Sequence, residues 1–314
     1  MSADKPNLPF SQPLNLRQAL MTAPPRLDHV LPGLLAGTVG MLAGPGGVGK
    51  TMLELQIAVA LATATPLCGG LYNNELGGAT FPTRVVFVAA EESAEVMTHR
   101  LHAVVAAVLH PIPQQDREGF LDTLEHNLQL YPLGGGQHVT LLDREQTATR
   151  VSKSLLDVCA GARLVILDPL RQFHDCDENA SAAMNTMVRL LHGITRRTGA
   201  ALVFAHHTNR ASTQMGLGDT AGAARGSTAL TDGVRWQLNV SKPTKEWAKA
   251  HGMPEAERGR HLLADVAKAN YLPPQPTRLL ERLAGGVLRV VGAEAEARTP
   301  RTGSSSMRLP LRAA

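Results

Sequence analysis

The sequence has little of several features that define common protein classes. It contains three cysteines, Cys68, Cys159 and Cys176, which are too few and too irregularly spaced for a disulfide framework or a zinc module. Aromatic residues make up only 4% of the chain, which argues against a protein that stacks many bases on aromatic platforms. No apolar run approaches the roughly 20 residues of a membrane-spanning helix, and the polar N-terminal residues are not those of a secretory signal. We therefore expect a cytoplasmic protein that makes no membrane contact.

The composition that is present fits a globular protein. Hydrophobic residues account for 44% and charged residues for 18% of the 314 positions, enough for one large domain with extensions. The 31 basic and 27 acidic residues leave a net charge of +4. This mild bias permits contact with nucleic acid without requiring it.

Composition also divides the chain into three parts. Residues 1–25 contain five prolines, and we interpret residues 1–26 as an N-terminal arm. Residues 27–292 form the predicted domain. Residues 293–314 are rich in Arg and Ser and are predicted to be a disordered tail.

Strand-like and helix-like runs alternate along the predicted domain. Near-continuous apolar runs at 84–90, 163–167 and 200–205 are typical of strands that are buried on both faces. The alternation predicts an α/β fold with a mostly parallel central sheet flanked by helices. Beyond residue 233, strand-like runs follow one another directly, and residues 284–286 are typical of a hairpin turn. The sheet is therefore expected to finish with antiparallel strands.

A phosphate-binding loop follows the first strand of this domain. It matches the pattern G-x-x-x-x-G-K-[ST] in full and lies between a predicted strand and a predicted helix. Glycines allow successive backbone N–H groups to face phosphate oxygens, and the helix directs its positive end at the anion. The lysine is expected to reach the β- and γ-phosphates of a nucleotide, and the threonine to bind Mg²⁺. The predicted nucleotide-binding residues are Gly44, Gly46, Gly47, Val48, Gly49, Lys50 and Thr51.

Two further predicted strands end in carboxylates. The run 163–167 is followed by Asp168, which completes a Walker B pattern, in which an acid at a strand end holds the metal through water. The run 84–90 is followed by Glu91 and Glu92. Glu91 is nearer to the strand and is expected to act as the general base that polarises the attacking water. Alternatively, both glutamates only stabilise the first turn of the next helix.

A third predicted strand ends in His206 and His207. A hydrogen-bonding side chain here is expected to sense the γ-phosphate and to pass the signal to the long loop at 209–224, which is rich in small and polar residues. Two ordinary loop histidines are the alternative, and a metal pair is disfavoured because adjacent side chains diverge. After the loop, Arg225 and Arg235 are each either a contact for a neighbour's phosphates or a solvated surface arginine.

Taken in order, these motifs resemble a known family. A phosphate loop followed by strands that end in Glu, Asp and His-His is similar to the RecA-type ATPase core. A wider set of segments, spread over about residues 27–291, resembles the RepA-type replicative helicases of broad-host-range plasmids. These segments are Leu31-Pro-Gly-Leu-Leu-Ala-Gly-Thr-Val-Gly40, Ala89-Ala-Glu-Glu92, His99-Arg-Leu-His102, Leu167-Asp-Pro-Leu-Arg-Gln-Phe-His174, Glu178-Asn-Ala-Ser181, His206-His-Thr208, Arg225-Gly-Ser227, Arg235-Trp-Gln237 and Lys268-Ala-Asn-Tyr271.

The resemblance implies a homohexameric ring that hydrolyses ATP with Mg²⁺ and translocates 5′ to 3′ along single-stranded DNA. The loop at 209–224 would be the mobile DNA loop facing the ring channel. By position, the resemblance assigns phosphate and Mg²⁺ binding to Lys50 and Thr51, and the Walker B acid at the metal to Asp168. It implies that Glu91 is the catalytic base, that His207 is the γ-phosphate sensor and that Arg235 is the arginine finger. Arg100 and Tyr271 would lie on the two sides of the adenine. The arm and the Arg-rich tail depart from the family pattern, so a primase or initiator partner stays open.

Two other functions use the same phosphate loop. The first is a RecA-type ATPase that binds DNA or regulates other proteins without unwinding, such as a recombination mediator. The second is a non-motor enzyme such as a small-molecule kinase, which would need a substrate site and a lid. No Arg-rich lid segment follows Asp168, which disfavours the kinase.

Overall fold

The computed structural model describes residues 13–71, 81–137, 139–208 and 228–292. The long loop at 209–224, Arg225 and the Arg-rich tail at 293–314 therefore lie outside the described residues, as do the first 12 residues of the arm. None of the helices in the described ranges is both long and apolar enough to cross a membrane.

A nine-stranded sheet forms the centre of the described structure. Its order is β11-β10-β9-β8-β3-β7-β6-β4-β5, and a separate pair, β1 and β2, is antiparallel. The strands are β1 (His29–Leu31), β2 (Leu34–Leu35), β3 (Val39–Gly44), β4 (Val85–Ala89), β5 (Leu128–Pro132), β6 (Leu164–Asp168), β7 (Ala201–His207), β8 (Trp236–Ser241), β9 (His261–Ala269), β10 (Arg278–Arg282) and β11 (Leu288–Val290).

The pairing of these strands confirms the predicted α/β architecture. The six strands from β8 to β5 are mutually parallel, whereas β9, β10 and β11 add to β8 in antiparallel fashion. Parallel strands need crossover connections, which helices supply, and antiparallel strands need only short turns. The predicted run of consecutive strands beyond residue 233 needs a correction, because β8 is still parallel to β3 and the helix Lys245–Ala250 separates β8 from β9, so that only β9, β10 and β11 follow one another without an α-helix.

Helices cover both faces of the sheet. They are α1 (Leu16–Met21), α2 (Lys50–Thr63), α3 (Ala94–Leu109), α4 (Arg117–Asn127), α5 (Arg150–Val158), α6 (Ser181–Thr198), α7 (Thr228–Gly233) and α8 (Lys245–Ala250). Buried residues of α2, α3 and α4 share one hydrophobic core with the sheet, and those of α5, α6 and α7 share the other. Alternate residues of β4 enter the two cores, which explains why its sequence is apolar throughout.

The base of the N-terminal arm is attached to the sheet. The Arg163 guanidinium donates to the Asp28 carboxylate and to the His29 carbonyl, at the start of β1. Before this point, α1 has no buried residue, and its apolar side chains Leu16, Leu20 and Met21 are exposed. The arm residues that the structure describes therefore add nothing to either core.

Candidate functional site

The carboxyl ends of four neighbouring parallel strands meet at one edge of the sheet. β3 leads into the phosphate loop, β7 ends at His207, β6 ends at Asp168, and β4 leads to Glu91. These strands are adjacent in the order β3-β7-β6-β4. The topology therefore brings together side chains that are up to 163 positions apart, from the phosphate loop at Gly44 to His207. Ligand sites of open α/β sheets lie at this kind of edge.

The phosphate loop has the backbone geometry that its glycines permit. A Cβ added to Gly44 would lie 2.5 Å from the Val240 carbonyl oxygen, so the close approach of β3 to β8 requires glycine there. Gly49, with φ 108°, is the residue before α2 and provides no side-chain cap. The first N–H groups of α2 therefore keep their capacity to bind an anion, which the helix dipole reinforces.

Lys50 is a buried cation that interacts with the loop itself. Its Nζ donates to the Gly44 carbonyl at 2.9 Å and to the Pro45 carbonyl at 3.2 Å, and it lies 3.1 Å from His207 Nδ1. An ammonium group can only donate, so Nδ1 of His207 is the acceptor and its ring is neutral. Burial and then the Lys50 charge lower the pKa of His207, in agreement with this assignment.

Thr51 and Asp168 face each other beside Lys50. The Thr51 hydroxyl donates to Asp168 Oδ2 at 2.6 Å, although the two residues are 117 positions apart. A hydroxyl and a carboxylate are the hard oxygen ligands that Mg²⁺ prefers, and Mg²⁺ usually keeps several waters when it binds such a pair. Burial raises the pKa of Asp168, while Thr51 and Lys50 lower it. The pair fits the predicted magnesium site.

Glu91 and Glu92 have different environments. Both line the pocket, and Glu91 Oε1 accepts a hydrogen bond of 3.0 Å from Gln172 Nε2. Glu92 instead forms a 2.6 Å ion pair with Arg100. The Gln172 contact orients Glu91 beside the phosphate loop, whereas Glu92 pairs with a residue of α3. The geometry therefore favours Glu91 over Glu92 as the residue that acts on a water molecule.

These residues surround a cleft of about 580 Å³. Its phosphate end is formed by the loop, Asp168 and His207, and its far end by α3 and the hairpin turn at Gly285 and Gly286. Arg282, on β10, also lines the cleft and donates to the Val48 carbonyl at 2.8 Å. The volume lies in the range of small-molecule sites, so the cleft can accommodate a nucleotide.

Two predicted site residues, Arg235 and Tyr271, lie outside both the phosphate loop and the lining of this cleft. Arg235 and Tyr271 are exposed and lie close together, because the Asn270 N–H donates to the Arg235 carbonyl at 3.2 Å. The Arg235 N–H donates to the Val39 carbonyl, at the start of β3, whereas the phosphate loop follows the end of that strand. Arg100, by contrast, does line the cleft.

Three residues of the site were missed by sequence reasoning. Gln172 and Arg282 reach the site from distant positions, and no local pattern indicates such contacts. Glu54, one helical turn after Lys50, is fully buried and next to the Asp168 carboxyl. Burial raises the pKa of Glu54 well above its usual range, and Asp168 raises it further. A signal for Glu54 existed, because it is the one acidic residue of α2, whose residues after Thr51 are otherwise apolar except Gln56 and Thr63.

Comparison with known proteins agrees with the fold. A solved structure described as the ATPase domain of G40P is similar, with a TM-score of 0.54 and 12% identity, over 87% of this chain and 95% of that chain. A crystal structure of the RadB recombinase is similar with a TM-score of 0.49 and 16% identity, over 82% of this chain and 92% of that chain. The first likeness shows a RecA-like ATPase fold. The model of the AAA domain family matches residues 7–213, more than half of the sequence. The chain therefore belongs to the AAA domain family.

Proposed function

We propose that this protein is an ATP-dependent DNA helicase or translocase of the RepA type. In this proposal it forms a homohexameric ring, hydrolyses ATP with Mg²⁺, and moves 5′ to 3′ along single-stranded DNA during replication of a plasmid or other mobile element. The family match and the cleft support ATP as the substrate. The resemblance of the ordered motifs supports the ring and the DNA.

The position of Arg235 is the observation that carries the proposal. It lies next to Val39, and β3 extends for six residues from there to Gly44. At roughly 3.3 Å per residue, about 17 Å separate it from its own phosphate loop, more than an arginine side chain spans. An exposed arginine at the opposite edge of the sheet is well placed for the phosphates of a second copy, and Tyr271 beside it for that copy's adenine.

Each residue of the cleft has a role in hydrolysis under this proposal. The phosphate loop and Lys50 bind the β- and γ-phosphates, which replace the Gly44 and Pro45 carbonyls as partners of Nζ. Glu91, held by Gln172, accepts the proton of the attacking water. Thr51 and Asp168 would hold Mg²⁺, and the cation would supply positive charge to the phosphate oxygens. An arginine supplied by a neighbour is worth about 10³–10⁵ in rate in related systems.

His207 would connect this chemistry to DNA. Its Nδ1 accepts from Lys50 Nζ, so a γ-phosphate that draws Lys50 away also changes the partner of His207. The loop at 209–224 begins two residues later in the sequence. Loss of the γ-phosphate would thus alter the start of the segment that we propose contacts DNA. Binding to the DNA backbone should be electrostatic and should weaken as salt is added.

The proposal is tested by ATP hydrolysis with and without single-stranded DNA, on protein whose mass is measured by light scattering. We expect a ring-sized particle whose hydrolysis DNA stimulates. Lys50→Ala should lower kcat by about 10³-fold, in line with the loss of a main charge-stabilising group. Lys242→Ala, which removes an exposed lysine that does not line the cleft, is the matched control and should leave kcat unchanged.

Strand displacement on a forked duplex then separates the two DNA-linked functions. Unwinding of a fork with a free 5′ tail supports the helicase. DNA-stimulated hydrolysis without strand displacement indicates the RecA-type DNA-binding or regulatory ATPase instead. A monomer whose hydrolysis is indifferent to DNA contradicts both and leaves a non-motor enzyme.

A further inference from the structure

The proposed hydrolysis mechanism gives no role to Arg282, a half-buried arginine at the end of β10. It lines the cleft, and its Nη2 donates to the Val48 carbonyl at 2.8 Å. The same nitrogen would lie 3.3 Å from a Cβ added to Gly49, so the guanidinium lies directly against the phosphate loop. A guanidinium has five N–H donors, and among the described residues the Val48 carbonyl is its one acceptor. Most of its hydrogen-bonding capacity is therefore unused.

The other lysine and arginine side chains that line the cleft already have partners within the protein. Lys50 donates to two carbonyls of the loop and lies 3.1 Å from His207 Nδ1, and Arg100 pairs with Glu92 at 2.6 Å. In the part of the chain that the structure describes, no carboxylate lies within ion-pair distance of Arg282. Arg282 is therefore a cation without a counter-charge beside a cleft of nucleotide size, and an anionic ligand would supply the partner.

The position of Arg282 relative to the loop is fixed by the strand that follows it. Arg282 pairs with Leu288 of β11 across the hairpin. The Gln56 side chain, which is buried on α2, donates to the Leu288 carbonyl and accepts from the Leu288 N–H, each at 2.8 Å. Since α2 begins at the phosphate loop, the same helix holds the loop and the hairpin that carries Arg282. A cation that is in place before the ligand arrives loses little conformational freedom on binding.

We propose that Arg282 is a nucleotide-binding residue, and that its guanidinium contacts the α- and β-phosphates of the nucleotide bound to the same subunit. Thr51 and Asp168 mark the end of the cleft where the γ-phosphate and Mg²⁺ would lie, and the hairpin turn marks the far end. Arg282 lies between these ends, because it adjoins Gly49 and shortly precedes the turn. Phosphates at this middle position are present in both ADP and ATP. The inference rests on the proposed function, because it assumes that a nucleotide occupies the cleft.

The chemistry of arginine suits this role and predicts its kinetic signature. The planar guanidinium can donate two parallel hydrogen bonds to phosphate oxygens, and its charge is retained at every physiological pH. Removing a hydrogen bond to a charged group weakens binding by roughly 10–100-fold. A contact that ADP and ATP share stabilises the bound nucleotide and the transition state equally, so its loss raises both Kd values and leaves kcat at saturation unchanged. This separates Arg282 from the proposed role of Arg235, which acts on the rate.

The inference is tested by equilibrium binding of ADP and of ATP in excess EDTA, together with the hydrolysis rate at saturating ATP and Mg²⁺. Arg282→Met keeps an unbranched side chain and removes the guanidinium. We expect this variant to raise the Kd of both nucleotides by the same factor, about 10–100-fold, with kcat within about threefold of the wild type. Arg289→Met is the matched control and should leave both Kd values unchanged, because Arg289 lies on the same hairpin, pairs with Glu281 and does not line the cleft.

Salt dependence distinguishes a contact with phosphate from a structural role in which Arg282 only holds the Val48 carbonyl. Added salt should weaken ADP binding to the wild type more than to Arg282→Met, because the wild type has one more charge contact to screen. Equal salt dependences would show that the guanidinium acts through the loop alone, and they would overturn the inference.

The remaining outcomes separate the inference from the proposed function. A wild type that binds neither nucleotide contradicts the proposed function and the inference with it. Wild-type binding that Arg282→Met matches overturns the inference alone. A reduced kcat with an unchanged Kd for ADP would place Arg282 at the γ-phosphate and would likewise overturn it. Should Arg282→Met not fold, Arg282→Gln takes its place, since its amide still carries a donor for the Val48 carbonyl, and an unchanged Kd for ADP in that variant overturns the inference.

Discussion

At the scale of single residues, the cleft assigns different roles to side chains that the sequence places next to each other. Glu91 accepts from Gln172 and faces the phosphate loop, while Glu92 pairs with Arg100. His206 is buried within the sheet, while His207 faces Lys50. The two histidines differ because successive residues of a strand point to opposite faces, whereas the two glutamates follow the end of β4 and differ in their hydrogen-bonding partners.

The two glutamates provide a matched pair of variants. Glu91→Gln should lower kcat for ATP hydrolysis by about 10²–10⁴-fold, the usual contribution of a general base, and leave the Kd for ATP unchanged. Glu92→Gln should change kcat by less than about threefold, because a partly exposed ion pair contributes only about 0–1 kcal/mol. Steady-state kinetics with equilibrium ATP binding measures both. A larger loss of kcat in Glu92→Gln would reverse the assignment.

The buried imidazole of His174 makes the stability of the folded protein depend on pH. Both nitrogens of His174 are buried without a hydrogen-bond partner among the described residues, and Glu178 Oε1 lies 3.8 Å from Nε2. Burial lowers the pKa of His174, with Glu178 opposing and Arg171 adding to the effect. The unfolded chain therefore takes up this proton at a higher pH than the folded protein does. Stability from His174 is present above the unfolded-state pKa and is lost as the pH falls toward the folded-state value.

Substitution of His174 isolates this contribution. Between pH 7 and pH 5, the free energy of unfolding of the wild type should fall more steeply than that of His174→Phe, which cannot take up the proton. Urea unfolding at each pH measures the difference between the two slopes. Equal slopes would show that His174 is not held neutral in the folded protein.

At the scale of elements, the hairpin turn between β10 and β11 forms one wall of the cleft. Gly285 has φ 69°, and a Cβ added there would lie 2.7 Å from Ala103 Cβ on α3. Gly286 lines the cleft beside it. The turn therefore needs glycine for its left-handed backbone and also for its close contact with α3.

The variants Gly285→Ala and Gly199→Ala separate the need for a left-handed backbone from the need for a close contact with α3. Gly199 ends α6 with φ 75°, and an added Cβ would meet nothing within 4 Å. Gly199→Ala should therefore cost only the backbone strain, about 1 kcal/mol of the free energy of unfolding. Gly285→Ala should cost more and should also weaken nucleotide binding, because the wall must move away from Ala103. Chemical unfolding and ADP binding report the two effects. Equal costs with unchanged binding would show that the α3 contact is unimportant.

The secondary-structure elements also show which parts of the fold can be predicted from the sequence. The parallel strands were predictable because burial on both faces demands continuous apolar runs, and the phosphate loop because its chemistry demands adjacent residues. The sequence does not indicate α4, because only Phe120 and Leu124 of its residues are buried, which leaves too sparse a pattern. The contacts of Gln172 and Arg282 could not be predicted, because they depend on strand order rather than on local sequence.

At the scale of the whole molecule, the sheet separates the parts of the proposed site. The phosphate loop, Glu91 and Asp168 lie at the carboxyl edge, and Arg235 lies beside the start of β3 at the opposite edge. Two copies stacked around a ring would bring these edges together. The energy released on losing the γ-phosphate would then act across the boundary between subunits, which is what a motor requires.

The central claim is that the site is shared between copies, and the most direct test is the rate of ATP hydrolysis per chain as a function of chain concentration. Light scattering on the same samples gives the particle mass. The rate per chain should rise together with the mass, because the proposal has Arg235 act on a neighbour's nucleotide. Arg235→Ala should assemble and bind ATP but stay about 10³-fold slower at every concentration, and Arg196→Ala, an exposed arginine on α6, should match the wild type. A full rate from a monomer, or an undiminished rate in Arg235→Ala, would contradict the account.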